Sequence, residues 1–133
     1  MPLRCLIVDD SPPFLQAARI LLERQGLSVP GMASNTAEAL QLARDLHPDV
    51  VLVDIGLGEE SGLNLAHRLT LEAGAPPVIL ISTRAEEDYG DVIAESFAIG
   101  FLSKLSLSAA AIRALLDGRG PDPSDAVSGR PGR

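Results

Sequence analysis

The sequence predicts an α/β fold: a five-stranded parallel sheet, doubly wound, with helices on both faces. Three observations lead there. Short runs of Val, Ile and Leu recur without polar alternation, as strands buried on both faces require. Stretches with apolar residues at helical spacing lie between them. The polar residues suited to chemistry fall at the C-terminal ends of the apolar runs, the edge where open parallel sheets bind ligands.

The elements follow in order. Leu3 to Val8 is the first run and ends in Asp9-Asp10. Residues 12–25 place Phe14, Leu15, Ala18, Leu21 and Leu22 at helical spacing, with Pro12-Pro13 near the start, where proline is tolerated. Leu27 to Ala33 is a second strand. It contains Pro30, which has no N–H to give a ladder, so it belongs at a sheet edge. Residues 36–46 form a helix through Ala39, Leu40, Ala43 and Leu46, capped by Asn35 or Ser34, with Glu38 three residues after Asn35. Val50 to Val53 ends in Asp54. Residues 62–73 are helical through Leu63, Leu65, Ala66, Leu69 and Leu71. Val78 to Ile81 ends in Ser82-Thr83, and residues 86–97 form the next helix, with Glu86, Glu87, Asp88 and Asp91 as its solvated start. Ile99 to Leu102 leads to Lys104, and residues 106–117 close the pattern with Ser106 or Ser108 as cap. Strands alternating with helices require right-handed crossovers. Residues 118–133 differ: seven of the sixteen are Gly or Pro, a composition of tails and linkers.

Composition narrows the function. At 133 residues the chain suits one domain, and 46% hydrophobic content supplies one core. Aromatics amount to 3%, so that core is aliphatic. A net charge of −7 argues against nucleic-acid binding, which needs clustered cations. Cys5 stands alone, which excludes an intramolecular disulfide and a cysteine-based zinc cluster. It reads as a buried small hydrophobe. His47 and His67 read as exposed residues without a role. No apolar run reaches the ~20 residues of a bilayer span and no signal pattern opens the chain, so a soluble, cytoplasmic protein is expected. Ten of the eleven cations are Arg; Lys104 is the single lysine.

Asp9, Asp10 and Asp54 would converge if the runs that they end lie side by side. Such a cluster repels itself and calls for a cation. Oxygen ligands from carboxylates, backbone carbonyl and water suit Mg²⁺.

An Asp-Asp pair after the first strand, a lone Asp after the third, Ser-Thr after the fourth and Lys after the fifth resemble the receiver domain of bacterial two-component response regulators. Asp10 to Asp54 spans 44 residues and Ser82 to Lys104 spans 22. Gly62, eight after Asp54, is similar to the glycine that opens the family's third helix. Ile99-Gly100-Phe101-Leu102-Ser103-Lys104 resembles its glycine-aromatic-x-x-lysine signature. The resemblance implies a flavodoxin-like (βα)5 sheet of order 2-1-3-4-5, with residues 1–117 as the receiver domain and 118–133 as a flexible tail or linker. By the same resemblance Asp54 is the phosphoacceptor. Asp9, Asp10, Asp54 and the backbone carbonyl of Gly56 hold Mg²⁺, and Lys104 and Ser82 contact the phosphoryl group. Ser82 and Phe101 form the switch. A sensor histidine kinase is the implied partner, and a homodimer on phosphorylation is a further arrangement that the family allows. The domain itself would touch neither nucleic acid nor membrane, and would be a signalling module rather than a turnover enzyme. The last helix resembles receivers of helix-turn-helix transcription regulators. Two rivals are a receiver-like interaction domain that works without phosphorylation and an aspartyl-phosphate phosphatase. Phosphatases of that kind carry an Asp-x-Asp motif, whereas the acids here are adjacent. Gly58 and Leu105 stand where many receivers have proline, Thr83 where Ala or Gly is common, and Arg84 at a position that tunes phosphate lifetime.

Overall fold

The computed structural model describes residues 2–57, 60–72, 74–83 and 98–118. The helix expected over 86–97, the loop residue Gly58, Arg84 and the tail 119–133 lie outside the described residues.

Five strands form one parallel sheet: β1 (Arg4–Val8), β2 (Ser28–Ala33), β3 (Val50–Asp54), β4 (Val78–Ser82) and β5 (Gly100–Ser103). Their order is β2-β1-β3-β4-β5, the flavodoxin-like order of the expectation. β2 is an edge strand. Its pairing runs from Arg4↔Ser28 to Leu6↔Gly31, so β2 carries one extra residue in the stretch that contains exposed Pro30. A bulge on an edge is where a strand tolerates a residue that cannot donate.

Four helices are described: α1 (Pro12–Arg24), α2 (Thr36–Leu46), α3 (Gly62–Thr70) and α4 (Ala109–Leu116). Each is capped by a side-chain oxygen, from Ser11, Asn35, Ser61 and Ser108, and each accepts from a backbone N–H near the helix start. α1 ends in a Schellman motif: Gly26 N–H donates to the Glu23 carbonyl and Leu27 N–H to the Leu22 carbonyl. Gly26 has φ 97°, a conformation that favours glycine. Two boundaries differ from the sequence reading. α3 stops at Thr70 rather than 73, because the chain turns through Gly74 at φ 71°. The stretch before α4 forms a separate 3-10 turn, Lys104–Ser106, so α4 begins at Ala109. A short antiparallel ribbon, Gly56–Leu57 against Glu60–Ser61, links β3 to α3.

Strand alternation splits the aliphatic core in two. Cys5, Ile7, Leu52, Ile79, Ile81 and Leu102 pack with Leu15, Ala18 and Leu22 of α1 and Ile112 and Leu115 of α4. Leu6, Val8, Val51, Val53, Leu80 and Phe101 pack with α2 and α3. All strands run the same way, so β1, β3, β4 and β5 deliver Asp9, Asp54, Ser82 and Lys104 to one sheet edge.

Candidate functional site

The register decides which groups meet. Val8 pairs with Val53, so the next residues, Asp9 and Asp54, stand beside each other past the ends of β1 and β3. Ile7 and Leu52 face α1, and two residues further along each strand the period of two returns Asp9 and Asp54 to that side. Lys104 is likewise two residues beyond Leu102, which packs on the same core face.

Both strand-ending aspartates make the same local turn. Asp9 Oδ1 accepts from Ser11 N–H at 2.8 Å, and Asp54 Oδ1 accepts from Gly56 N–H at 3.2 Å. Such Asx turns fix one carboxylate oxygen and leave the second for other work. Those second oxygens meet the lysine. Lys104 Nζ lies 2.5 Å from Asp9 Oδ2 and 3.4 Å from Asp54 Oδ2. The Lys104 side chain is only 12% exposed and that of Asp9 1%, so this is a pair with little solvent screening. Above the ammonium lies the Phe14 ring, its centroid 4.3 Å from Nζ.

Burial pushes the Asp54 carboxyl above its ordinary range, and the neighbouring Asp9 carboxylate pushes it the same way. The Lys104 ammonium and the Gly56 N–H pull it back without cancelling the rise. Asp54 is therefore an acid whose negative form is held at a cost, ready to be relieved by added positive charge.

Oxygens of Asp9, Asp10 and Asp54 lie within 4.8 Å of one another, with Asp9 and Asp54 buried and Asp10 exposed to solvent. Among the described residues Asp9 Oδ2 has no hydrogen-bond partner, and the Lys104 ammonium meets it as an ion pair. A buried carboxylate oxygen without a hydrogen bond, in an all-oxygen cluster, fits a hard divalent cation such as Mg²⁺.

Ser82 is buried and pairs with Ser103, next to Lys104, while Asp54 pairs with Ile81, next to Ser82. Phe101 is 8% exposed and sits in the core on the α2–α3 side, away from the carboxylates. Gly56 is exposed, beside Asp54. His47 and His67 are exposed and Cys5 is buried. Sequence reasoning missed Phe14, which it took for an ordinary helix-face residue, and the capping role of Ser11. The signal for Ser11 was present, as Asp-x-Ser ahead of a helical pattern. Nothing in the sequence alone joins Phe14 to Lys104, 90 residues away.

Gly62 sets the approach of α3 to this edge. A Cβ there would stand 1.8 Å from the Asp54 carbonyl oxygen and 3.0 Å from Ile55 Cα. Its N–H donates to the Ile55 carbonyl at 3.0 Å. Only glycine lets the helix start this close to the backbone of Asp54.

Residues 5–117 match the family described as the response regulator receiver domain. A Pseudomonas aeruginosa protein assigned by inference as a transcriptional regulator is 37% identical over 101 residues, which is 76% of this chain and 49% of that protein. An Archaeoglobus fulgidus protein-glutamate methylesterase/protein-glutamine glutaminase is 35% identical over 98 residues, 74% of this chain and 28% of its own length. Among solved structures, a two-component response regulator of the LuxR family from Aurantimonas sp. SI85-9A1 has a TM-score of 0.80 at 29% identity, covering 90% of this chain and 89% of that one. The chain spans half or less of the length of the two sequence relatives. None of the described helices is long and apolar enough to cross a membrane. With the family match covering residues 5–117 and the carboxylates, serine and lysine gathered at one sheet edge, the chain belongs to the response regulator receiver domain family.

Proposed function

We propose that this receiver domain is a phosphorylation switch in which Asp54 accepts a phosphoryl group from a sensor histidine kinase. One observation carries the reading. The Asp54 carboxylate lies buried between a second buried carboxylate and the single lysine, with oxygens of three aspartates within 4.8 Å. An Asp54 oxygen attacks phosphorus, the new O–P bond forms as the N–P bond of phosphohistidine breaks, and the imidazole leaves with that electron pair. Asp9, Asp10, Asp54 and the Gly56 carbonyl would hold Mg²⁺, which when bound supplies positive charge for the phosphoryl oxygens. Lys104 neutralises a further phosphoryl oxygen as a compact ammonium. The Ser82 hydroxyl donates to another once it is present. That bond draws the end of β4 inward, Phe101 repacks with it, and a partner surface changes shape.

The module would not turn over substrate, and residues 118–133 would act as tail or linker. The relatives attach similar domains to different outputs, a transcriptional regulator in one and a methylesterase in another. Transcription regulation is the reading favoured by the Pseudomonas aeruginosa relative, whose name is that of a transcriptional regulator. Incubation with Mg²⁺ and acetyl phosphate tests the proposal. Wild type gains one slow-migrating species on a phosphate-affinity gel and Asp54→Asn gains none. Identical migration of the two overturns it in favour of a phosphorylation-independent domain. Sustained release of phosphate from phosphomonoesters overturns it in favour of a phosphatase.

A further inference from the structure

We infer that Phe14 is a positioning residue for Lys104: its ring holds the ammonium over the carboxylates, so the lysine is set for the phosphoryl group before that group arrives. The inference rests on the reading of Lys104 given above as a phosphoryl contact.

Four contacts close a circuit around the site. Asp9 Oδ1 accepts from Ser11 N–H at 2.8 Å. Ser11 Oγ accepts from Phe14 N–H at 3.4 Å, which starts α1 and fixes where the Phe14 side chain emerges. The Phe14 ring centroid is 4.3 Å from Lys104 Nζ. Lys104 Nζ returns to Asp9 Oδ2 at 2.5 Å. The same aspartate thus anchors both the turn that places the ring and the ammonium that the ring covers.

The chemistry explains why a ring is there. A lysine stem has four rotatable carbons, and its strongly hydrated ammonium gains much by swinging to solvent. Lys104 starts a 3-10 turn whose next residue, Leu105, is 90% exposed, so the backbone alone does not hold it in. An aromatic face attracts a cation and displaces water from it, and the attraction strengthens as the site dries. In a chain with 3% aromatics and an aliphatic core, one of three phenylalanines stands half-buried against the only lysine. A leucine at position 14 would fill the same apolar edge of the core without attracting charge.

The single lysine makes the test direct. Labelling the full chain with isotopic lysine gives one side-chain ε-methylene signal by NMR. In wild type, without metal or phosphodonor, that signal should be moved upfield by the ring current and show a nuclear Overhauser contact to Phe14 ring protons. Phe14→Leu should return the shift to the free-lysine position, and Phe14→Tyr should keep it. The rate of phosphorylation by acetyl phosphate with Mg²⁺ should fall about fivefold in Phe14→Leu and recover in Phe14→Tyr; fivefold corresponds to about 1 kcal/mol. An unshifted wild-type signal with no contact to the ring overturns the inference whatever the variants do. Equal rate losses in the Leu and Tyr variants overturn it too, because the ring is then irrelevant. If the wild-type ring contact is present but the chain takes up no phosphoryl group, the positioning of Lys104 stands and the phosphoacceptor reading falls.

Discussion

Gly62→Ala sets local propensity against packing beside Asp54, the proposed phosphoacceptor. Alanine is the better helix former by about 1 kcal/mol, and Gly62 is the first residue of α3, so propensity predicts stabilisation. Packing predicts the reverse. The new Cβ would stand 1.8 Å from the Asp54 carbonyl oxygen and 2.8 Å from its carbon, where ordinary contact begins at 3.4 Å. The obstacle is backbone, which cannot rotate away as a side chain can. Relief requires α3 to retreat from β3, lengthening the 3.0 Å bond from Gly62 N–H to Ile55 and loosening the core under Leu65, Ala66 and Leu69. Overpacking of this kind costs about 1–3 kcal/mol; a net loss of about 2 kcal/mol lowers Tm by roughly 6–12 °C in a domain of this size. Thermal unfolding followed by far-UV circular dichroism reads the change. Gly56→Ala is the control, since a Cβ there meets nothing within 4 Å, and it should stay within about 0.5 kcal/mol of wild type. A Gly62→Ala Tm at or above that of wild type would refute the packing argument.

Three further outcomes follow from the same geometry. Mg²⁺ should raise Tm, by an amount equivalent to about 2.7 kcal/mol at 100 times its Kd, and exposed Asp10→Asn should unfold like metal-free wild type and lose the rise. Lys104→Met leaves buried Asp9 facing Asp54 without its ammonium; urea unfolding in chelator should show a loss of about 3–5 kcal/mol, part of it regained on adding Mg²⁺. Burial pushes the Cys5 thiol up to about 12 from an ordinary 9.0, so native protein should resist thiol reagents and react only as it unfolds. The unfolded chain releases that proton first. Stability should therefore fall as pH rises from about 9 to about 12, with a shallower slope in Cys5→Ala.

The strands were legible because both-face burial leaves uninterrupted aliphatic runs. Val50–Asp54 and Val78–Ser82 are buried at every position, and Pro30 marked the edge strand. The caps were legible where a hydroxyl or amide precedes helical spacing, as at Asn35 and Ser108. The ribbon of Gly56–Leu57 with Glu60–Ser61 was not, because two residues per strand carry no period to detect. The end of α3 was misjudged for a related reason: Leu71 continues the apolar spacing yet is 72% exposed. At the site, Asp9, Asp54, Ser82 and Lys104 could be picked out as strand-end residues, and parallel register brings them to one edge. Phe14 could not, since its contact with Lys104 depends on how α1 leans over β1, and that angle comes from packing rather than spacing.

Chemical trapping reads directly whether Asp54 carries the phosphoryl group. After incubation with acetyl phosphate and Mg²⁺, borohydride reduces an aspartyl phosphate to homoserine, and peptide mass spectrometry locates the changed residue. Homoserine at position 54 and at neither 9 nor 10 is the predicted result. Homoserine at Asp9 or Asp10, or at no residue of a folded chain, would contradict it.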